Sequence, residues 1–320
     1  MKSSNIGGQA VLEGIMMRHK DVYSVAVRKP DGEITVMTEP YKSLVKSPIL
    51  KKTPIVRGVF NFVESLVVGM KCLTYSASFY EDEEEEEAPV LSEEEQKKAD
   101  RKREKQDKLL MGITVAVSIV LSVAIFIMLP YFIASLLRRA TDLEWLIAIA
   151  EACMRLVIFL GYIFLISKMK DIQRVFMYHG AEHKCINCVE HGMNLTVENV
   201  MKSSREHKRC GTSFLLFVMI VSIIFFLFIR VSSPWLRVVV RLLLVPVIAG
   251  VSYEIIRLAG SSDNKFVNLL SKPGMALQRL TTREPDESMV EVAIAAVEAV
   301  FDWQQYLKEN FPQRRQEKER

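Results

Sequence analysis

The side chains able to do chemistry gather in one stretch, residues 178–211: YHGAEHKCINCVEHGMNLTVENVMKSSREHKRCG. Four of the chain's five histidines lie there, His179, His183, His191 and His207, with three of its five cysteines, Cys185, Cys188 and Cys210. About a tenth of the length thus holds most of the borderline and soft metal ligands.

Two ligand spacings overlap in it. The first is His179-x-x-Glu182-His183. On a helix, His179 and His183 stand four apart and face the same way, with Glu182 on nearly that face. Two imidazoles beside a carboxylate form the inverzincin arrangement, in which the histidines hold zinc and the glutamate activates water. Such sites take a third ligand from a distant glutamate, and Glu254 is of the right kind, about seventy positions downstream. The alternative for Glu254 is a helix-end pair with Arg257. The second spacing is Cys185-x-x-Cys188, eighteen residues, then His207-x-x-Cys210. That is the pattern of a closed structural zinc site with two knuckles. Both spacings can be real, the ligands can be mixed, or the stretch can be a loop of reduced thiols and hydrogen-bonded histidines.

The rest of the chain must position these groups at a membrane. Of 320 residues, 50% are hydrophobic, and mean hydropathy is positive at +0.16. A net charge of +4 is too small to argue for nucleic acid, which is not expected as a partner. An odd cysteine count without a disulfide pattern reads as reduced or metal-bound thiols. Residues 1–14 lack the long apolar core of a signal peptide.

Four apolar segments follow a charged approach: 109–137, with Pro130 expected to kink it, 143–167, 211–229 and 235–259. Nineteen helical residues span about 28 Å, enough to cross a bilayer core. The short gaps inside each pair make two helical hairpins. Lysine and arginine are dense before the first segment (Lys97, Lys98, Arg101, Lys102, Arg103, Lys105, Lys108) and between the second and third. They are sparse in the short turns, where Arg138, Arg139, Arg230 and Arg237 stand. Both termini and the 168–212 loop are therefore expected on the cytoplasmic side. Within the spans, Glu151 and Arg155 are four apart and are expected to pair, while Arg241 is expected to snorkel outward.

Residues 1–80 read as a β unit plus an amphipathic helix. The segments 22–28 and 33–38 form a hairpin around Lys29-Pro30-Asp31-Gly32, with residues 10–12 as a further strand. Gly7-Gly8-Gln9 matches the tripeptide used for peptidyl-tRNA hydrolysis in release factors, but reads here as tight backbone at a strand start. Residues 54–79 form a helix that either lies on the membrane or covers the sheet. Residues 81–108 read as a charged linker, 81–96 unstructured and 93–108 a solvated helix. After 259, Lys272-Pro273-Gly274 reads as a turn. A last helix starts near Pro285 with Val290, Ile294, Val297 and Phe301 on one face, and 313–320 is a solvated tail.

Asn5-Ile-Gly-Gly-Gln-Ala-Val-Leu-Glu-Gly-Ile-Met-Met-Arg18, Arg57-Gly58 with Glu64-Ser65-Leu66, Tyr178-His-Gly-Ala-Glu-His-Lys184, His207 with Arg209-Cys-Gly-Thr-Ser-Phe214, and Gln278-Arg-Leu-Thr-Thr-Arg-Glu-Pro285 resemble the bacterial YqhQ family. The resemblance covers nearly the whole chain. It implies a polytopic membrane protein of unassigned function described as a metal-dependent enzyme. His179, Glu182, His183, His207 and Cys210 fall in its motifs, and Cys185 and Cys188 fall outside them, which favours a mixed site.

The expected fold is mainly α: four transmembrane helices over 109–259 with a cytoplasmic metal-binding loop 168–212, an N-terminal β unit, and a C-terminal helical segment 260–320. The expected function is zinc-dependent hydrolysis, with Glu182 as general base. His179 and His183 serve as ligands, and Cys210, His207 or Glu254 supplies the third. The site lies at the cytoplasmic membrane face, and the substrate is a peptide or a lipid-linked molecule reached from the bilayer. The rivals are a scaffold or regulatory protein with a structural zinc on Cys185, Cys188, His207 and Cys210, and a transport accessory built around Glu151 and Arg155.

Overall fold

A computed structural model describes residues 2–45, 47–80, 93–228, 231, 233–261 and 264–312. Four strands, β1 (Ile6–Val11), β2 (Gly14–His19), β3 (Val22–Arg28) and β4 (Ile34–Pro40), precede the helices α1 (Pro48–Lys52) and α2 (Val56–Ala77). Next come α3 (Glu93–Val123), a π-helical turn (Ala124–Met128), α4 (Leu129–Leu136) and α5 (Glu144–Ile166). The chain continues through α6 (Lys170–Glu190), α7 (Val197–Lys202), α8 (Gly211–Phe228) and α9 (Pro234–Ser261). It ends in α10 (Lys265–Thr281), α11 (Glu287–Glu298) and α12 (Trp303–Asn310). The protein is mainly helical, as expected, and four helices are long and apolar enough to cross a membrane: Leu109–Leu136, Glu144–Ile166, Gly211–Phe228 and Trp235–Gly260. The linker reading over 81–92 and the tail 313–320 lie outside the described residues.

The chain divides into two compact units, one of Met1–Tyr80, Tyr162–Phe228 and Leu242–Arg320, the other of Glu81–Gly161 and Ile229–Arg241. In the first, the strands make an antiparallel meander in sequence order. The sequence reading lacked one strand. Gly14–His19 carries no simple alternation because Gly14 to Met17 are all buried, so it does not look half-solvated. The expected turn is present, with the Gly32 N–H donating to the Lys29 carbonyl and Gly32 at φ +89°.

Both faces of the sheet are covered. Ile6, Ile15, Met17 and Ala26 pack with α6 and α11 through Tyr178, Ala181, Cys185, Val290 and Val297. Val11, Met16, Tyr23, Val25 and Val27 pack on the other side with Cys72 and Val68 of α2. Burying one such aliphatic side chain contributes about 2 kcal/mol. Helix α2 therefore covers the sheet. It also turns Val63, Leu66, Val67, Met70 and Leu73 outward as an exposed apolar stripe. Glu64 on this helix is buried. It accepts hydrogen bonds from the Tyr41 hydroxyl (2.7 Å), the Ser43 hydroxyl (2.7 Å) and the Leu44 N–H (2.8 Å).

The N-terminal end of α2 meets α9 backbone to backbone. A Cβ on Gly58 would stand 2.9 Å from the Gly250 carbonyl oxygen and 2.8 Å from the Tyr253 Cβ. Lys272-Pro273-Gly274 is not a turn: α10 runs through it, and Gly274 lets the helix lie against Ser213, 2.8 Å from where a Cβ would be. An amphipathic face packing on α8 overrides the local turn preference.

In the second unit, Glu151 and Arg155 pair as expected, at 2.7 Å. Arg241 does not snorkel. It turns inward and holds both carboxylate oxygens of Glu151, at 2.7 and 2.9 Å. A lone buried Glu–Arg pair would leave part of the carboxylate unsatisfied, and a second guanidinium removes that penalty. The π turn ahead of Pro130 answers the expected kink, and its Phe126 carbonyl accepts from Arg155 Nε at 3.2 Å.

Candidate metal and catalytic centre

Helix α6 runs unbroken from Lys170 to Glu190 and carries His179-x-x-Glu182-His183 and the Cys185-x-x-Cys188 half of the second spacing. At 100° per residue, His179 and His183 share one face, Glu182 lies beside them, and Cys185 and Cys188 point the other way. Cys-x-x-Cys is thus helical and forms no knuckle. Cys185 is enclosed in the core with Met17 and Val292, and Cys188 Sγ lies 3.3 Å from the Asn194 carbonyl. The set Cys185, Cys188, His207 and Cys210 is not brought together.

What is brought together is His179, His183 and Cys210. Among the described residues their ligand atoms lie within 4.8 Å of one another. His179 Nε2 is 3.2 Å from Cys210 Sγ, and the two imidazoles are 4.4 Å apart between ring centroids. Each ring is oriented by a backbone carbonyl: His179 Nδ1 lies 2.8 Å from the Thr281 oxygen and His183 Nδ1 2.6 Å from the Arg205 oxygen. A carbonyl only accepts, so each Nδ1 carries a proton, which leaves Nε2 as the ring nitrogen turned toward the cluster. His183 Nε2 is buried and without a hydrogen-bond partner.

The orienting carbonyls are themselves fixed. The strap holding Thr281 crosses α6 at Gly180, where a Cβ would come within 2.0 Å of the Arg283 oxygen. The Arg283 N–H donates to the Phe176 carbonyl at 2.8 Å. The segment holding Arg205 is gripped from α6. Lys184 Nζ donates to the carbonyls of Met201 (2.7 Å) and Ser203 (2.9 Å), and Asn187 Nδ2 to those of Ser204 (2.7 Å) and Glu206 (2.9 Å). Gln278 of α10 holds the next residues, accepting from the His207 N–H at 2.8 Å and donating to the His207 carbonyl at 2.7 Å and the Ser213 hydroxyl at 2.8 Å.

Glu182 is buried beside the two histidines, and its Oε2 has no hydrogen-bond partner. Strand β1 closes over it at Gly8, where a Cβ would stand 2.9 Å from the Glu182 carboxyl carbon. Burial raises the Glu182 pKa, with the neighbouring His179 and His183 opposing. Burial also pushes the Cys210 thiol up, but the two imidazoles outweigh it and hold it well below the usual thiol range. Burial lowers the His179 pKa, and the Cys210 sulfur reverses this and pushes it up to about 9.

Two expected ligands stand elsewhere. His207 stacks 5.8 Å from the His183 ring, and its Nε2 faces Glu190 Oε2 at 3.5 Å. Glu190 is buried, which pushes its pKa up, but His207, Arg209 and the Ser4 N–H bring it down to about 2. Glu254 is claimed by Arg57, with Nε–Oε1 at 2.7 Å, and by Arg257 at 3.7 Å, so it is not in the cluster. The groups that sequence reasoning missed, the carbonyls of Thr281 and Arg205 and the Gly8 backbone, carry no side-chain signal.

The cluster lines a cavity of about 530 Å³. Gly8, Gln9, Glu182, His183, His207 and Thr212 form its polar side, and Phe62, Leu66, Phe214, Leu215 and Ile256 its apolar side.

The family model described as "Protein of unknown function (DUF1385)" matches residues 53–303. A curated relative, "Uncharacterized protein YqhQ" of Bacillus subtilis (strain 168), is 39% identical over 293 residues, covering 90% of this chain and 89% of that protein. No solved structure matches. With most of its length matched in both comparisons, the chain belongs to the DUF1385 family, which includes YqhQ.

Proposed function

We propose that this protein is a membrane-embedded, metal-dependent hydrolase with its centre at His179, His183 and Cys210. One observation carries the reading: three ligand atoms within 4.8 Å, both imidazoles held at Nδ1 by carbonyls so that Nε2 is the nitrogen offered to the cluster. Zinc bonds of about 2.0–2.3 Å put tetrahedral ligand atoms roughly 3.3–3.9 Å apart, so the donors fit with small movement. Two imidazoles and a thiolate suit Zn²⁺ best, and three protein donors match a catalytic rather than a closed structural site. The carbonyl behind each histidine is the outer support such ligands use.

A bound divalent ion supplies Lewis acidity and lowers the pKa of water. Glu182 then has two tasks. Its Oε2 takes a proton from the attacking water, and the same carboxyl gives that proton to the leaving group. Its raised pKa suits both directions of transfer. The lysine and arginine distribution favours a site on the cytoplasmic side. The substrate is a peptide or a lipid-linked molecule.

The 3.2 Å contact between His179 Nε2 and Cys210 Sγ favours a second reading, a thiolate nucleophile with His179 as its acid. It leaves His183 Nε2 without a task, which is why it ranks second. Metal analysis of the purified protein separates the two. Metal should be present in wild type and lost from the His179→Ala, His183→Ala double variant. Glu182→Gln should keep the metal and the fold but fail to complement a deletion phenotype. Full complementation by Glu182→Gln would sink the hydrolase, and a metal-free, complementing wild type would hand the site to the thiolate.

A further inference from the structure

The cavity beside the cluster is chemically lopsided. The imidazoles, Glu182 and Cys210 line it together with a mainly apolar wall of Phe62 and Leu66 of α2, Phe214 and Leu215 of α8 and Ile256 of α9, where Asn61 and Tyr253 satisfy each other at 2.8 Å and Ser65 adds a hydroxyl. Phe62 and Phe214 stack at 5.2 Å and form its floor. Leu66 is 56% exposed and Leu215 42%, so the apolar wall continues onto the surface. There it joins the outward stripe of Val63, Val67 and Met70 on α2. Helices α8 and α9 are two of the four apolar enough to span a bilayer, so this mouth opens where acyl chains lie. Among the described residues no lysine lines the cavity, and the arginine that does, Arg209, is committed to Glu190 and Ser3.

Size selects among apolar ligands. Three turns of helix, about 10 Å across and 16 Å long, fill on the order of 1,300 Å³. The cavity holds about 530 Å³, too little for a membrane-spanning peptide. A single extended aliphatic chain ending in a carbonyl fits both the volume and the polarity.

We propose that the cavity takes the acyl chain of a fatty-acyl ester, entering from the bilayer past Leu66 and placing its ester carbonyl at the His179–Glu182–Cys210 end; the hydrolytic part of this rests on the function proposed above. The balance is simple. The oxygen of water bonds to the acyl carbon, the bond to the leaving alcohol breaks, and Glu182 passes one proton from water to that alcohol. A fatty acid and an alcohol leave, with no change of oxidation state.

The test uses the full-length protein in lipid nanodiscs and three probes: acetohydroxamate, lauroyl hydroxamate and laurate. The hydroxamate head binds a metal; laurate needs none. Lauroyl hydroxamate should bind more tightly than acetohydroxamate, by up to about fourfold per methylene that the cavity buries. Leu66→Trp, a partly exposed position that tolerates bulk, should weaken lauroyl hydroxamate and laurate at least tenfold, leaving acetohydroxamate affinity and metal content unchanged. Phe62→Trp is the second variant should the first misfold. Equal tightness of the two hydroxamates, or long-chain binding unmoved by both tryptophans, overturns the acyl site while the metal centre stands. Wild type that purifies without metal, takes up none when zinc is supplied and binds neither hydroxamate overturns the metal centre instead, and laurate binding that Leu66→Trp abolishes then still supports the acyl cavity. Displacement of laurate by a hydrophobic 20-residue helical peptide at equal affinity would overturn the acyl assignment in favour of a membrane peptide.

Discussion

The Nδ1 of His179 and the carbonyl oxygen of Thr281 are 2.8 Å apart, and that one hydrogen bond ties the N-terminal half of the candidate centre to a strap about a hundred residues downstream. The strap can lie there because position 180 has no side chain. A Cβ at Gly180 would stand 2.0 Å from the Arg283 oxygen, a backbone atom with no rotamer to change. Gly180→Ala should therefore push the strap off α6. We expect a loss of about 1–3 kcal/mol in stability, as for overpacking, and weaker metal retention as His179 loses its orienting carbonyl. Thermal unfolding and metal content of the purified variant check both. Wild-type metal retention in a destabilised Gly180→Ala would show that the strap does not orient the ligand.

Ligand identity makes a sharper contrast. His179→Ala or His183→Ala should lower bound metal strongly, since each removes one of three donors. Cys188→Ser should change it little, because its sulfur faces the carbonyls of Met193 and Asn194 on the far side of α6. Metal stoichiometry across the three variants decides it. Loss in Cys188→Ser with retention in His179→Ala would restore the two-knuckle reading.

Much of this centre could be read from the sequence, and the remainder fails to show for a physical reason. The spacing His179-x-x-Glu182-His183 needs only helix periodicity to put three side chains on one face, so it is legible. Cys210 is legible as a residue type but not as a partner, because joining it to α6 depends on how α10 holds 207–213 through Gln278. Glu254 was an attractive third ligand by type and depth. It goes to Arg57 because the close approach of Gly58 to Gly250 brings α2 beside α9, and such an approach leaves no trace in hydropathy. The fold itself was mostly legible, since four long apolar helices dominate hydropathy. The second strand was hidden by burial of consecutive residues, and the helix through Pro273 by packing that outweighs turn preference.

The buried carboxylate of the first unit gives a pH dependence. Burial pushes the Glu64 pKa up, but hydrogen bonds from Tyr41, Ser43 and Leu44 outweigh this and leave it below the usual range. A folded-state pKa below the unfolded value contributes stability above the unfolded pKa of about 4.3, lost as pH falls through the folded value. Wild type should therefore lose melting temperature on going from pH 6 to below 4 more steeply than Glu64→Gln. Parallel curves for the two proteins would mean that Glu64 does not contribute to the acid limb.

In the second unit, Glu151 is held by two guanidiniums, Arg155 and Arg241. Glu151→Ala removes the carboxylate that both buried guanidiniums share and should destabilise by about 3–5 kcal/mol. Arg241→Leu should be milder, because the Glu151–Arg155 pair survives. Melting in detergent, compared across both single variants and the double, measures the coupling. An additive double variant would mean that Arg241 and Glu151 do not interact.

The side of the membrane on which the centre works is the last question, and it follows from charge. Fifteen lysines and arginines stand within 97–108 and 168–209, against four in the short turns after the first and third spans. Four spans with this asymmetry predict both termini and α6 on the cytoplasmic side. Reporter fusions at Asp142 and Ser233 should then read outside, and fusions at Asn194 and Arg320 inside. The arrangement has a chemical consequence as well. Cys210 and the buried cysteines of α6 would sit in a reducing compartment, where a thiolate persists as a metal ligand instead of being drawn into disulfides. A cytoplasmic signal at Asp142 would invert the bundle and expose Cys210 to oxidising conditions, which a two-histidine, one-thiolate centre would not survive unchanged.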